Sequence, residues 1–502
     1  MFNKNKTYEQ HDNEKISFYR SSIEDLYSQD NLSSTADVDI CVIGGGSGGL
    51  SVASAAAQLG LNVVLIEGNK MGGDCLNYGC IPSKSLISAS KSAYVQTKGE
   101  AFGITSINPK VEFAKVKEHI LKVIKTIEPH DSVERFEKLG VKVIKSYGKF
   151  ISNNEVLAGD KLIKARRFVI ATGSEPLIPK INGIDKVKYY TNKNIFEISE
   201  CPKHLIVIGG GPIGIEIAQA YVRLGAHVTV LEAKSILEKD DPESVKILVG
   251  QLKKDGIKIL ENSEVVYIEN DDKNIKVRTS DGSIYKGSHL LIAAGREPNI
   301  KYLDLVHANV DHSKRNIKVD AFLKTSNKRV FAIGDVTGER QFTHTAEYHA
   351  GIIIRSAAFG LKFKQKKHHI PWTTYSDPEI SQVGLTEAQA YEKYGKKISV
   401  VKVNYSDNDR AITELETIGF VKVMVFKGRP IGASIVGKNA GEIIQIWCLA
   451  ISSKLKMSAI SSMVSPYPTL GELNKRVSNA YLAPKLINSV IIKRFVRFIQ
   501  KF

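Results

Sequence analysis

Two stretches of the chain repeat each other. Residues 38–69 (VDICVIGGGSGGLSVASAAAQLGLNVVLIEGN) and 203–234 (KHLIVIGGGPIGIEIAQAYVRLGAHVTVLEAK) superimpose at a constant offset of 165 positions. Gly44, Gly46, Gly49, Gly60 and Glu67 fall on Gly209, Gly211, Gly214, Gly225 and Glu232. Each copy reads as apolar strand, glycine turn, Ala-rich helix, glycine break, second strand and terminal acid, which is a βαβ unit. In a G-x-G-x-x-G turn the first glycine makes the tight turn, the second lets a pyrophosphate approach the backbone, and the third lets helix pack on strand. The helix N-terminus offers amide donors and positive dipole to the phosphates, and an acid about 20 residues on accepts from ribose hydroxyls. One such turn is a weak signal, because a purely structural loop can carry it. Two copies in full strand, helix and acid context are specific, and they predict an α/β chain that binds two dinucleotides.

At 502 residues, 43% hydrophobic and 25% charged, the chain can bury the cores of about three or four domains, which excludes a disordered or fibrous class. No apolar run reaches the roughly 18 residues of a bilayer span; the longest candidate, 205–220, is interrupted by Glu216 and five glycines or prolines. The start of the chain is polar, with Glu9 and Asp12, and reads as neither secretory signal nor transit peptide. Five cysteines are too few for a disulfide scaffold, so a reducing, cytoplasmic setting is expected and any disulfide should be catalytic.

Between the two copies lies 72–84, GGDCLNYGCIPSK. Four residues separate Cys75 from Cys80, a spacing that suits a helix start where the sulfurs can bond and the dipole favours a thiolate. A zinc half-site would need two further ligands, and no nearby Cys or His pair supplies them; no resident metal is expected. Cys41, Cys201 and Cys448 are isolated and read as small buried hydrophobes or incidental thiols and not as reactants.

The 72–84 segment closely resembles the redox-active site of the class I flavoprotein pyridine nucleotide-disulfide oxidoreductases, the group that includes dihydrolipoamide dehydrogenase, glutathione reductase and mercuric reductase. The resemblance runs from Val38 to about Leu482. Ala171-Thr172-Gly173 and Ala294-Gly295-Arg296 look like the strand ends that close each dinucleotide domain, and Phe331-Ala332-Ile333-Gly334-Asp335 looks like the second FAD motif. Pro371-Trp372-Thr373 through Asp377-Pro378-Glu379, with Val383-Gly384-Leu385-Thr386, is similar to the opening of the family's dimerisation domain.

The resemblance implies two Rossmann-like dinucleotide-binding domains, for FAD and NAD(P), plus a C-terminal α+β dimerisation domain. The expected divisions are a polar extension at 1–36, the FAD-binding domain at 37–176 and again at 299–369, the NAD(P)-binding domain at 177–298, and the dimerisation domain at 370–482. Gly44, Gly46, Gly49, Glu67, Gly73, Thr172, Gly173, Gly334 and Asp335 would hold FAD, with Asp335 on the ribityl chain. Gly209, Gly211, Gly214, Glu232 and Gly295 would hold the nicotinamide coenzyme. Glu232 favours NADH, since a carboxylate repels a 2′-phosphate, while Lys234 and Arg223 leave NADPH open. Cys80 would be the charge-transfer thiolate against the flavin, Cys75 the interchange thiol, and Lys84 and Glu216 the ion pair beside the flavin's reactive nitrogen. The family also implies a homodimer whose active site is shared between subunits.

One departure matters. Disulfide-exchanging members carry His-Pro-Thr-x-x-Glu near the C-terminus, where the histidine, paired with the glutamate, shuttles protons; here the sequence is Tyr467-Pro468-Thr469-Leu470-Gly471-Glu472. A phenol, with a pKa of about 10 against about 6.5 for imidazole, is a poor base near neutrality but can donate a hydrogen bond or ligate a metal. Mercuric reductases resemble this chain in carrying tyrosine at that place, and soft cations prefer thiolate ligands. They also typically end in a vicinal cysteine pair and begin with a Cys-x-x-Cys domain, and this chain has no cysteine before Val38 or after Cys448. The expected function is an FAD-dependent NAD(P)H oxidoreductase that passes electrons through a Cys75–Cys80 disulfide to a disulfide or soft-metal acceptor, mercuric-reductase-like. The alternatives are dihydrolipoamide dehydrogenase activity and a non-catalytic, membrane-associated redox-sensing flavoprotein.

The formal charge of +17 is concentrated towards the end, where 475–502 holds seven basic and no acidic side chains. Read as one helix over 483–502, Ile487, Ile491, Phe495, Phe498, Ile499 and Phe502 share one face and Lys493, Arg494, Arg497 and Lys501 the other. Such a helix suits either an anionic membrane surface, here the inner face, or docking on its own dimer. Nucleic acid is not expected, because the aromatics are not interleaved with the cations. The extension 1–36 is polar, with a short helix expected around 16–27.

Overall fold

The computed structural model describes residues 33–502; the helix expected around 16–27 lies outside the described residues. The first half begins with β1 (Ser33–Ile43), which takes in residues read from the sequence as extension, followed by α1 (Ser47–Gln58), β2 (Val63–Ile66), α2 (Gly73–Asn77), α3 (Cys80–Gln96) and α4 (Phe113–Ile127). Next come β3 (Val141–Ile144), β4 (Gly148–Ser152), β5 (Glu155–Ala158) and β6 (Lys161–Ile170). The second βαβ unit is β7 (His204–Ile208), α5 (Pro212–Arg223) and β8 (His227–Leu231). It continues through α6 (Pro242–Lys254), β9 (Lys258–Leu260), β10 (Val265–Asp271), β11 (Asn274–Thr279), β12 (Ile284–Gly287) and β13 (His289–Ile292). Then follow β14 (Val330–Ala332), α7 (Thr343–Ala357), β15 (Trp372–Thr374), β16 (Glu379–Gly384), β17 (Ile398–Asn404) and α8 (Asp409–Thr413). The chain closes with β18 (Phe420–Phe426), β19 (Arg429–Gly437), α9 (Glu472–Ile487) and α10 (Val490–Ile499).

The chain falls into two compact units. The first draws its described residues from 33–73, Glu128–Glu175 and Glu297–Gln365. Its sheet runs β3-β2-β1-β6-β5-β4, with β14 also on β6. The β1, β2, β3, β6 and β14 pairs are parallel, with Ile40 opposite Val63 and Ile43 opposite Ile170. Both faces of this sheet are covered, as a parallel sheet requires. Because side chains alternate along a strand, Ile40 and Val42 pack with Leu50, Val52 and Ala53 of α1 and Ile352 and Ile353 of α7, while Cys41 and Ile43 pack in a separate core with Phe150 and Phe168.

The second unit comprises Asp74–Ile127, Pro176–Arg296 and Lys366–Phe502. It holds a parallel sheet β9-β8-β7-β13, an antiparallel sheet β10-β11-β12, and a five-stranded antiparallel sheet β15-β16-β19-β18-β17. Helix α6 is tied to the five-stranded sheet by charge. Asp241 caps the helix, and buried Lys422 of β18 lies 2.8 Å from Asp241, 2.9 Å from Glu387 and 3.2 Å from Glu243. Beside it the Trp372 indole N–H donates to Asp240 at 2.8 Å.

The C-terminal reading needs correction. Residues 483–502 are not one helix: α9 ends at Ile487, and Ser489 caps a new helix by accepting from the Ile492 N–H. A serine that satisfies a free first-turn amide offers the backbone a fresh start, so Ile487 belongs to α9 and not to the last helix. Among the described residues no helix is long and apolar enough to cross a membrane.

Candidate active site

Both copies of the repeat close their glycine turns alike. Gly44 has φ +113 and Gly209 φ +114, and a Cβ on either would stand 2.3 Å from a carbonyl oxygen, Ala171 O and Ala293 O respectively. Gly49 and Gly214 lie over the carbonyl oxygens of Gly44 and Gly209, where a Cβ would sit at 1.9 and 2.1 Å. The close approach of turn, strand end and helix therefore excludes a side chain at these four positions.

Gly46 and Gly211 stand at the N-caps of α1 and α5, with no side-chain cap among the described residues. A Cβ on Gly211 would meet nothing within 4 Å, and one on Gly46 only Gly73 Cα at 3.8 Å. Uncapped amides facing open space suit a pyrophosphate. Glu67 accepts from the N–H of Gly45 at 2.6 Å and of Asn69 at 2.5 Å; Glu232 accepts from Gly210 at 2.6 Å and Lys234 at 2.8 Å. Each carboxylate is thus pinned beside its turn, where ribose hydroxyls can donate to it. The residues present fit a dinucleotide in both copies.

Other members of the expected set take defined places. Gly334 and Asp335 open a 3₁₀ turn, and Asp335 accepts from the Ser174 hydroxyl at 2.6 Å within the first unit. Thr172 donates to Asn299 O at 2.7 Å, while Asn299 returns its side-chain amide to Thr172 O at 2.9 Å and its N–H to Gly173 O at 3.0 Å. Asn299 and Ser174 escaped the sequence reading; they act through long-range pairing, and no local spacing marks them. Gly73 (φ +59) packs on Gly46, and Gly295 (φ +125) follows the end of β13.

Cys75 lies half-buried in α2, and Cys80 is exposed as the first residue of α3. The loop between them is braced through Asp74, which lies 3.1 Å from Arg296 Nη2 and accepts from the Asn192 side-chain amide at 3.2 Å; the same amide donates to Tyr78 O at 3.1 Å. The sequence reading had Arg296 only as a strand end and did not single out Asn192. One turn past Cys80, Lys84 Nζ lies 2.7 Å from Glu216 Oε2 and 4.6 Å from the centre of the Tyr375 ring. The other oxygen of buried Glu216 accepts from the Tyr375 N–H at 2.8 Å. Burial would lower the pKa of Lys84, but Glu216 outweighs it, Cys80 adds in the same direction, and the ammonium is held above the ordinary lysine range. By contrast Cys41 is fully buried, and burial pushes Cys201 and Cys448 up to about 11, which leaves them inert.

Tyr467 and Glu472 are near each other but not as a bonded pair. The Tyr467 hydroxyl donates to Asp409 of α8 at 3.0 Å, and that bond holds the phenol above its usual pKa. Glu472 instead forms an ion pair with Arg476, its Oε1 lying 3.3 Å from Nε, and its second oxygen is buried without a hydrogen bond among the described residues. Arg476 also reaches Asp409 at 3.5 Å. The carboxylate that meets the phenol thus comes from α8 and not from the start of α9.

Arg223 is likewise corrected as a phosphate ligand. Its guanidinium is buried, 2.9 Å from Asp255 and 2.7 Å from Asp377, and stacks 3.6 Å from the Tyr94 ring. Its Nε–H donates to Asp255 and an Nη1–H to Asp377, and Nη2, which makes no hydrogen bond among the described residues, is buried, so burial keeps the guanidinium from a coenzyme.

Comparison with known proteins agrees with this architecture. Residues 38–350 match the pyridine nucleotide-disulphide oxidoreductase family model and 370–477 its dimerisation domain. A mercuric reductase from Lysinibacillus sphaericus is 31% identical over 91% of this chain and 86% of its own length. A dihydrolipoyl dehydrogenase from Geobacillus stearothermophilus is 35% identical over 87% of this chain and 94% of its own. Among solved structures, the Cu(II) complex of the HOCl-induced flavoprotein disulfide reductase RclA from Escherichia coli superimposes with a TM-score of 0.79 at 27% identity, covering 88% of this chain and 99% of that one.

Proposed function

The chain belongs to the pyridine nucleotide-disulphide oxidoreductases, and we propose that its Cys75–Cys80 pair reduces a soft, thiolate-bound metal ion. As a member of that family it is an FAD-dependent enzyme that draws on NAD(P)H, and its C-terminal domain supports a homodimer. Bound FAD supplies the relay that turns a hydride from the nicotinamide into the two electrons that open a disulfide.

The chain's own residues do the rest. Lys84, one turn beyond Cys80 and kept charged by Glu216, stabilises negative charge at the head of α3. The brace of Asp74, Asn192 and Arg296 orients the short helix α2 that carries Cys75. Once reduced, the two thiolates ligate a soft divalent cation; when the sulfurs rejoin, two electrons leave them, the number Hg(II) needs to become the metal. Glu232 beside the second turn, with Arg223 withdrawn into its ion cluster, favours NADH over NADPH.

The observation that carries the choice of acceptor is the Tyr467–Asp409 bond. A phenol that donates to a carboxylate, with its pKa raised, serves near neutrality as a donor or ligand and not as the base that dithiol exchange needs. Mercuric reductases among the relatives and a Cu(II) complex among the structural neighbours support the same reading. The exposure of Tyr467, at 70%, on a dimerisation domain supports an active site completed by the second subunit. The relatives named dihydrolipoyl dehydrogenase support a second reading, lipoamide exchange. NADH-driven turnover of Hg(II), Cu(II), lipoamide and glutathione disulfide by the purified enzyme separates the two. Metal turnover should exceed lipoamide turnover at least tenfold, and lipoamide as the better oxidant would reverse the assignment.

A further inference from the structure

The redox machinery leaves α10 unused. Counted at about 100° per residue, Ile491, Phe495, Phe498 and Ile499 of the helix fall within one arc of about 100°, and Lys493, Arg494 and Arg497 within another on the far side. Every residue of the helix is exposed, Ile491 at 80%, and Phe502 beyond its end is exposed at 97%. Leu486 and Ile487, exposed at the end of α9, border a groove with Ile492 and Val496 and extend the apolar surface. The Ser489 cap begins the helix afresh.

We propose that α10 is an in-plane anchor for an anionic lipid surface. Ten residues make a helix of about 15 Å, half the roughly 30 Å of a hydrocarbon core, so it can lie on a bilayer but not span it. Charge selects the occupant. From Lys475 to the end every ionisable side chain other than Tyr481 is basic, in a chain of formal charge +17, so docking on a second copy gains no attraction and sets cation against cation. A nucleic acid would satisfy the cations and leave the phenylalanines on the opposite face in water, out of stacking reach. Acidic headgroups over acyl chains meet both faces at once.

The test uses the full-length, flavin-loaded protein and co-sedimentation with vesicles of phosphatidylcholine, with and without phosphatidylglycerol. Each cation near an anionic surface is worth about fivefold in partitioning. Binding to the acidic vesicles should therefore exceed binding to neutral ones by tenfold or more and weaken with salt. Phe495→Glu with Phe498→Glu, and separately Lys493→Gln with Arg494→Gln, should each reduce it at least tenfold while flavin content and NADH-dependent turnover stay unchanged. The proposal is overturned by equal partitioning to both vesicle types, or by binding that survives both pairs of substitutions. It is equally overturned if vesicle binding is absent, whether the substitutions alter the oligomeric state on gel filtration or RNA is bound instead.

Discussion

Replacing Asp240 by asparagine should stabilise the protein at alkaline pH and lose that effect in acid. Asp240 is 7% exposed and accepts from the Trp372 indole at 2.8 Å. Burial raises its pKa from 3.8 to about 6, with the Trp372 bond opposing and the neighbouring Asp241 adding to the rise. The folded state thus holds this proton more tightly than the unfolded chain, so the stability it contributes is present below about pH 4 and is lost as pH rises through about 6. A shift of about two units at about 1.36 kcal/mol each makes the ionised carboxylate cost up to about 3 kcal/mol at pH 8. Asparagine keeps the acceptor oxygen and the shape but cannot ionise. Asp240→Asn should therefore raise unfolding free energy by up to about 3 kcal/mol at pH 8 and by about half that at pH 5. Urea unfolding at both pH values, followed by circular dichroism, measures it. A destabilised variant at pH 8, or a gain equal at the two pH values, would refute the argument that desolvation governs this carboxylate.

Anaerobic NADH should produce a long-wavelength thiolate-to-flavin absorbance band that Cys80→Ser abolishes and Cys75→Ser retains, as a titration in a sealed cuvette would show. Tyr467→His should raise lipoamide turnover, while Asp409→Asn should move the alkaline limb of the metal-turnover pH profile downward, because the carboxylate that raises the phenol's pKa is gone; an unmoved limb counts against the pairing. Arg223→Ala strips the buried partner from Asp255 and should cost about 3 kcal/mol of stability with the NADH-to-NADPH preference intact, whereas Glu232→Ala should erode that preference. Gly211→Ala, whose Cβ meets nothing within 4 Å, should melt like the parent and raise the KM for NADH at least tenfold. Gly214→Ala, 2.1 Å from a carbonyl oxygen, should lower the melting temperature outright.

Much of the site was legible because its chemistry is local. The glycines, Glu67 and Glu232 act within one βαβ unit, and Cys75, Cys80 and Lys84 within one loop and the helix after it, so spacing along the chain carries their geometry. The partners were not legible. Asn299 clamps a strand end 127 positions away, and Asp409 meets a tyrosine 58 positions on, and nothing in their neighbours' identities announces it. Arg223 misled for the same reason: a cation near an acid reads as available until Asp255, Asp377 and Tyr94 are seen to enclose it. The break at Asn488–Ser489 was hidden because a wheel drawn through it still sorts apolar from basic.

Sequence alone determined that this chain builds two glycine turns of dinucleotide type and a cysteine pair at a helix head, since glycine sterics and helical spacing act over a few residues. Tertiary structure alone decided that Tyr467 answers to Asp409 and not to Glu472, and that Arg223 is closed to a phosphate. Hydrogen bonds and ion pairs form with whatever group packing brings within about 3 Å, and that proximity is a property of the folded chain.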